Sequence, residues 1–459
     1  MTTSTSQNTH ETDTANNASC TTISTILTLA IPTFGQLIAE PAFVLIDTAI
    51  VGHIGGQALA GLSVGSTIVL TVVGLCVFLA YSTTSQVGRL LGAGKRREGL
   101  EAGVDGLWLA GIIGVVVSVA LFVIARPLCM AMGAQGSVLH NAVDYVRAVV
   151  FGIPGMLLVY AANGIFRGLQ KVRITLVAAT LGAILNTLLD LLFILGFGWG
   201  VFGSGAATLI SQWFMAVLLI VPAMLWTRAE GARLRPRLSG VLNSAGDGAV
   251  LFLRTLALRA CLVANVVLAT HMGVEVLAAY QVVNSSWNFV LNMLDAIGIA
   301  GQTLVAAQIG ARQEDEAMRL TRIAGRAGLC GGTVIGIGLM IAGWCASPLF
   351  SQSIEIQHLL TVGMVVVGVT LPLAGWMWAV DGILIGAGDY RYLALTCTAT
   401  AAIYVPCLAA IGWICDAMQA SSALRMALLW LAVNLLFVGL RAIFNGFRIG
   451  TSTWLHIAH

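Results

Sequence analysis

The chain has 459 residues, of which 58% are hydrophobic and only 9% are charged, and its formal net charge is +3. Together with a mean hydropathy of +0.92, this composition excludes an ordinary soluble domain and is typical of a protein that lies mostly within a bilayer. The small positive charge gives no reason to expect a nucleic-acid partner.

The N-terminal segment is polar, and apolar runs follow it to the end of the chain. Residues 1–22 are rich in Thr, Asn and Ser and lack a signal-peptide pattern, so they predict a disordered cytoplasmic tail. A helix needs about 20 apolar residues to cross about 30 Å of hydrocarbon. Twelve such runs are predicted, near 23–51, 57–89, 99–126, 139–166, 172–197, 204–227, 248–271, 275–309, 317–345, 356–385, 392–414 and 422–447.

The basic residues predict the orientation of these helices. When the N-terminus is placed in the cytoplasm, most of the 23 Lys and Arg residues fall on the cytoplasmic side, Arg167 and Arg441 among them. This distribution follows the positive-inside rule. We therefore predict a multi-pass protein of the cell inner (plasma) membrane with both termini in the cytoplasm.

An internal repeat divides the chain into two halves. At one offset of 218 residues, His53 aligns with His271, Pro154 with Pro372, and "ALAGL" at 58 with "VLAAY" at 276. Six helices in each repeat give parallel repeats related by a pseudo-two-fold axis along the membrane normal. The predicted fold is an all-α membrane protein with an N-lobe at 23–227, a cytoplasmic linker at 228–247, a C-lobe at 248–447 and a C-terminal tail at 448–459. Two such lobes predict alternating access.

Predicted helix 1 carries polar residues in the stretch "IPTFGQLIAEPAFVLIDTAIVGHIGG". An ionised Asp at the centre of a membrane helix costs about 2.5 to 3.5 kcal/mol on insertion scales. At about 100° per residue, Gln36, Glu40 and Asp47 share one helix face. That face is expected to look into protein or water. Glu40 either titrates or bonds backbone that Pro41 leaves without a donor, and both interpretations stay open.

Predicted helices 5 and 6 supply further polar groups. Asn186 and Asp190 lie at i and i+4 on one face of helix 5, and Thr208 lies on helix 6. Each of Asp47, Asp190 and Thr208 is within about seven residues of the same membrane side, hence about 10 Å of one another in height. Two nearby carboxylates disfavour full ionisation, so they would hold a proton or share Na⁺. The alternative is that both acids only join helices 1 and 5.

The C-half offers a weaker set of candidates. The repeat carries Asp47 to Asn265 and Asp190 to Leu408, so cation coupling is expected in the N-lobe only. Polar and aromatic residues of helices 8 and 10 either line a substrate cavity or join helices, and they are Asn284, Trp287, Asn288, Asp295 and Asp381.

The combined motifs resemble the multidrug and toxic compound extrusion (MATE) family, in particular its DinF-like branch. The resemblance is carried by the helix 1 stretch, "GAGKRRE", "NGIFRGLQKVRI" and "NTLLDLLFILGFGWGVFGSGAATLI". It implies a cation site at Asp47, Asn186, Asp190 and Thr208. It further implies a helix 1 hinge at Pro32 and a cavity lined by Asn163.

The expected activity is that of a secondary active multidrug or organic-cation efflux transporter, coupled to H⁺ or Na⁺ as an antiporter. The expected partners are a small amphipathic, cationic substrate and membrane lipids, and the chain is expected to act as a monomer without a cofactor. No nucleophile, nucleotide loop or metal-ligand spacing predicts an enzyme. The alternatives are a lipid-linked precursor flippase, an exporter of a neutral or zwitterionic metabolite, and a channel.

Overall fold

A computed structural model of the protein describes residues 5–457, apart from the side chains of residues 5–23, 40 and 43. The described residues form helices and turns without a β-strand. Twelve helical stretches are long and apolar enough to cross a membrane. We call them spans 1 to 12: Ser24–Gly52, Gly56–Gly92, Arg96–Ala131, Gly136–Gly168, Val172–Gly196, Gly200–Ala229, Leu238–His271, Val274–Gly310, Glu314–Cys345, Ile354–Ala387, Tyr390–Ala417 and Ser422–Gly450.

The chain divides into two compact units. The N-unit is Pro32–Phe252, and the C-unit is Leu253–His459 together with the described residues up to Ile31. Spans 1 and 7 each change unit within an unbroken helix, at Ile31 and at Phe252. The two units are described separately below.

Small residues let span 4 lie close to its neighbours in the N-unit. A Cβ atom on Gly65 of span 2 would lie 2.7 Å from Cδ1 of Tyr145, and a Cβ on Gly205 of span 6 would lie 2.7 Å from Cβ of Ala148. Both distances are shorter than real Cβ contacts. Glycine at these positions therefore leaves room for Tyr145 and its helix to pack closely between spans 2 and 6.

The loop that joins spans 6 and 7 is docked on span 3. Arg233 donates to Glu101 from Nη2 at 3.0 Å, and the Arg237 backbone N–H donates to Oδ1 of Asp105 at 2.8 Å. Span 7 starts at Leu238, so the irregular segment is shorter than the predicted linker at 228–247. Pro236 lies within this irregular segment, two residues before span 7 begins, where it does not interrupt a helix.

A dense aromatic and aliphatic core fills the C-unit. The indole of Trp287 lies 6.1 Å from that of Trp430, which in turn stacks on Tyr280 at 5.4 Å. Spans 9 and 10 meet so closely that a Cβ on Gly375 would lie 2.0 Å from the Gly328 carbonyl oxygen. This backbone-to-backbone contact is the small-residue packing that membrane helices use in place of a hydrophobic driving force.

Candidate functional site

Two buried carboxylates of the N-unit, one on span 1 and one on span 5, form the candidate site. Asp47 of span 1 is 6% exposed, and Asp190 of span 5 is 0% exposed. They lie close enough for the charge of Asp47 to act on Asp190. No Lys, Arg or His among the described residues forms an ion pair with either acid. The two acids predicted from the sequence on spans 1 and 5 therefore lie near each other in the structure, and no basic side chain among the described residues neutralises their charge.

Hydroxyl groups surround the pair. The Ser204 side chain lies beside the carboxyl group of Asp47. The Tyr145 hydroxyl lies beside Thr208 and is close enough to Asp47 and Asp190 to interact with their charges. Asn186 is buried one turn before Asp190 on the same helix. The structure thus brings the predicted Thr208 into the acid site and adds two groups that sequence reasoning missed, Tyr145 and Ser204. Ser204 lies one turn before Thr208 on the same helix face, so its spacing could have identified it from the sequence. No sequence pattern identifies Tyr145, since buried tyrosines are common.

Several polar atoms of this site have no hydrogen-bond partner among the described residues. They are Oδ1 of Asp47, both carboxylate oxygens of Asp190, both amide atoms of Asn186 and Oγ of Ser204. Buried polar atoms nearly always have partners, because an unsatisfied one costs about 1 to 3 kcal/mol. A cluster of carboxylate, amide and hydroxyl oxygens is a donor set that suits a proton or a hard cation.

The backbone of span 5 changes at this site. The helix is α-helical through Asp190 and has π-helical geometry at Leu191–Gly196. A π-helical turn leaves the regular hydrogen-bond ladder and is frequent at functional sites. The α-helical hydrogen-bond pattern of span 5 therefore ends immediately after Asp190.

Two small cavities lie within the N-unit, and the first of them borders Asp47. The first, of about 30 Å³, is lined by Asp47, Tyr145, Thr208 and Gln212. The second, of about 60 Å³, is lined by Gln36, Asn163 and Gln212. Since a buried water needs about 10 to 15 Å³ of such space, the cavities are large enough for a few waters or an ion. Gln36 and Asn163, both predicted as cavity residues, line the second cavity, and Gln212 lines both cavities.

The remaining span 1 candidates are placed as follows. Pro32 and Pro41 lie inside the continuous helix Thr5–Gly52. Pro32 is the first residue of the N-unit. The Glu40 side chain lies outside the described residues.

Asp381 of the C-unit lies in a different environment from the N-unit acids. Its carboxylate accepts a hydrogen bond from Arg254 and another from the Asn445 amide at 3.1 Å. It also forms a 3.2 Å ion pair with Arg441. All four residues are buried. The sequence predicts Arg441 as a cytoplasmic basic residue. Arg441 is 3% exposed, because span 12 turns it inward against Trp378 and the Asp381 carboxylate.

The other C-half candidates are dispersed. Trp287 is fully buried in the aromatic core, whereas Asn288 is exposed and donates to the Asn284 carbonyl at 2.8 Å. Asp295 is half-buried on span 8. No group of three or more His, Cys, Asp or Glu side chains in the described part of the chain could hold a metal ion.

The repeat places a neutral pair where the N-unit has acids. Asn265, the counterpart of Asp47, accepts a hydrogen bond from the Tyr404 hydroxyl, and Tyr404 is the counterpart of Asn186. The counterpart of Asp190 is Leu408. The paired-acid site therefore belongs to one half of the repeat.

Comparisons with known proteins agree with the repeat and with the fold. A family model described as MatE matches residues 32–192 and again 251–411. The chain is 28% identical over 445 residues to Protein DETOXIFICATION 44, chloroplastic, of Arabidopsis thaliana, covering 93% of this chain and 82% of that protein. It is 26% identical over 424 residues to DNA damage-inducible protein F of Escherichia coli strain K12, covering 90% and 89%. The structure of the Vibrio cholerae MATE transporter VcmN in the bent form matches with a TM-score of 0.85 at 18% identity, covering 96% and 99%.

Proposed function

Because the chain belongs to the MatE family, whose members are membrane transporters and not enzymes, we propose that it is an antiporter that exchanges amphipathic organic cations for H⁺ or Na⁺. The resemblance predicted from the sequence motifs is confirmed by the family match and by the relative named DNA damage-inducible protein F. Twelve spans and this family make the protein a multi-pass membrane transporter of small molecules. The coupling ion, the substrate charge and the transport direction belong to the proposal.

The observation that carries the proposal is the buried Asp47 and Asp190 pair. Two carboxylates without a basic partner are costly in a low-dielectric interior unless a positive ion is shared between them. The unpartnered oxygens of Asp190 and Asn186 are the groups that would bind it. Intramembrane acids of this kind are characteristic of proton and ion pathways.

Charge compensation provides the coupling. A bound cation neutralises the acid pair, so a cationic substrate gains less from the N-unit when that cation is present. The two ligands then compete for one electrostatic environment, and each favours release of the other. Tyr145 and Thr208 would orient the Asp47 side of the site, whereas Asn186 would contribute from span 5. Pro32 would serve as the bend of span 1 that changes with cation binding.

The cavities set a condition on the transport cycle. Volumes of about 30 and 60 Å³ are far below the 300 to 1,000 Å³ of typical organic-ligand sites. An organic cation would therefore bind in a conformation in which the interior around Gln36 and Asn163 is wider. Alternating access requires such a change around a fixed site.

We propose the orientation with both termini in the cytoplasm of the inner membrane. The loop between spans 6 and 7, which contains Arg233, Arg235 and Arg237, would then be cytoplasmic, in accordance with the positive-inside rule. In this orientation Asp47 and Asp190 lie toward the external side, from which the driving cation enters.

The test is export of a fluorescent organic cation in proteoliposomes, driven separately by a pH gradient and by a sodium gradient. We expect one gradient to drive export in the wild type and both Asp47→Asn and Asp190→Asn to lose that response. Asp144→Asn is the matched control, because the side chain of this N-unit acid is 37% exposed and its ion pair among the described residues is with His140. Gradient-driven export that persists in both site variants would contradict the proposal.

A further inference from the structure

A long groove lies between spans 7 and 11, within the C-unit. Its volume is about 910 Å³, and its lining residues run from Leu256 to Met272 at span 7 and from Val405 to Asp416 at span 11. Leu256 and Met272 are 16 residues apart in the sequence, which corresponds to about 24 Å of helix. Organic ligands occupy sites of about 300 to 1,000 Å³. The groove, unlike the N-unit cavities, therefore has room for a whole organic molecule.

Three ionisable side chains interrupt the otherwise apolar lining of the groove. They are Arg259, His271 and Asp416. His271 is the last residue of span 7 and Asp416 is next to the last residue of span 11, so both lie at the same end of these two parallel spans. Asp416 already forms a 3.0 Å ion pair with Arg425. Arg259 lies 12 residues before His271, hence about 18 Å further along the groove.

Arg259 is an arginine at membrane depth whose charge has no counterion among the described residues. It is exposed and lies within the apolar span Leu238–His271. It forms no ion pair and no side-chain hydrogen bond with another described residue. The buried acid Asp381 is already bound by Arg254 and Arg441. Because an ionisable residue at this depth is costly unless it has a partner or faces water, the position suits an anionic ligand.

The internal repeat relates this groove to the acid site of the N-unit. Spans 7 and 11 are the counterparts of spans 1 and 5, which carry Asp47 and Asp190. Leu408, the counterpart of Asp190, lines the groove, and Arg259 is the counterpart of Pro41. The equivalent pair of helices thus carries acids in the N-unit and an arginine in the C-unit. A ligand of the C-unit groove is therefore expected to have the opposite charge.

We propose that the groove binds an amphipathic organic anion, with one carboxylate held by Arg259 and one apolar chain lying along spans 7 and 11. A guanidinium can bind a carboxylate through two parallel hydrogen bonds, and exposed apolar side chains such as Val263 and Trp413 would cover the chain. A bilayer phospholipid fits less well. Its headgroup stays at the membrane surface, level with His271 and Asp416, so that only its acyl chains reach Arg259. This site is separate from the acid pair, and its ligand binds without a cation gradient.

The experiment measures binding of a fluorescent fatty acid, dansylaminoundecanoic acid, to the whole protein in nanodiscs of phosphatidylcholine. Energy transfer from tryptophan to dansyl reports binding, and empty nanodiscs give the background. We expect saturable transfer in the wild type and a Kd about tenfold higher in Arg259→Gln, as for loss of a charged hydrogen bond. Arg259→Lys keeps the charge but loses the fork, so its Kd is expected to lie between those two. Arg391→Gln is the matched control, because this exposed arginine of span 11 does not line the groove.

Two further comparisons test the charge and the place of binding. The methyl ester of the probe is expected to bind the wild type and Arg259→Gln with one and the same weak Kd, since it offers no anion. Trp413→Phe is expected to lower the energy transfer and to leave unchanged the Kd measured by direct excitation of dansyl, because Trp413 lines the groove. Ala260→Trp fills the groove and replaces Arg259→Gln if that variant fails to insert.

Four results would overturn the inference. They are an equal Kd of the fatty acid for the wild type and Arg259→Gln, tight binding of the ester, undiminished energy transfer in Trp413→Phe, and displacement of the probe by phosphatidylglycerol but not by dodecanoate. The last result would identify a phospholipid site. Because the assay contains no organic cation and no ion gradient, its outcome is independent of the proposed antiport.

Discussion

Arg254 donates a hydrogen bond to the Asp381 carboxylate, so this buried acid of the C-unit has a basic partner within its own unit. Asp47 and Asp190 of the N-unit form no ion pair with a described basic residue. The same residue type thus has two roles in one chain. We propose that Asp381 stabilises the C-unit and that the N-unit pair binds a mobile cation.

Loss of the C-unit ion pair is expected to reduce stability. Asp381→Asn leaves Arg254 and Arg441 without their carboxylate in a buried site, and breaking such a pair costs about 3 to 5 kcal/mol. The measurement is thermal unfolding followed by tryptophan fluorescence. Asp416→Asn is the control, because the Asp416 side chain is 68% exposed in its pair with Arg425 and such pairs contribute about 0 to 1 kcal/mol. Equal effects of the two variants would argue against a structural role of Asp381.

Tyr145→Phe is expected to weaken coupling more than stability. The variant removes the hydroxyl that faces Thr208 and leaves the ring between spans 2 and 6. The free energy of unfolding should fall by about 1 kcal/mol or less, while the rate of gradient-driven export falls severalfold. The matched control is Tyr280→Phe, which removes a buried hydroxyl in the C-unit core. If Tyr145→Phe exports organic cations as fast as Tyr280→Phe does, Tyr145 has no part in the site.

Gly205→Ala is expected to impair both stability and transport. Its Cβ would lie 2.7 Å from Cβ of Ala148 and 2.9 Å from the Tyr145 carbonyl oxygen, so spans 4 and 6 must separate. Overpacking of this kind costs about 1 to 3 kcal/mol and would shift Tyr145. Gly246→Ala is the control, since a Cβ there meets nothing within 4 Å. Melting temperature and export rate are compared for the pair, and an unaffected Gly205→Ala would show that the close approach is dispensable.

The docked loop between spans 6 and 7 gives a further prediction. Asp105→Ala removes the buried acceptor of the Arg237 N–H, which should destabilise the N-unit by about 1 to 3 kcal/mol. Glu98→Ala, whose pair with Lys95 is more than half exposed, should cost about 0 to 1 kcal/mol. Denaturation in detergent measures both. A loop that contributes nothing would give two equal unfolding curves.

The fold could be predicted from the sequence because length and hydropathy determine which helices cross a bilayer. Asp47 and Asp190 were also predictable, since lipid strongly disfavours acids and both occur in apolar helices. Tyr145 was not, because aromatic residues are ordinary in membrane helices and only packing brings this one to the acids. Ser204 carried one signal in the sequence, its position one turn before Thr208. The burial of Arg167 and Arg441 was hidden for a related reason. Arginines near span ends satisfy the positive-inside rule equally well when they are buried.

The most direct test of the proposed account is the release of cations when an organic cation is added to purified, weakly buffered protein. A pH dye and a sodium indicator follow the two ions at once in the wild type, Asp190→Asn and Asp381→Asn. Competition at the Asp47 and Asp190 pair predicts about one cation released per chain in the wild type and in Asp381→Asn, and none in Asp190→Asn. Undiminished release from Asp190→Asn, or its loss only in Asp381→Asn, would contradict a coupling site in the N-unit.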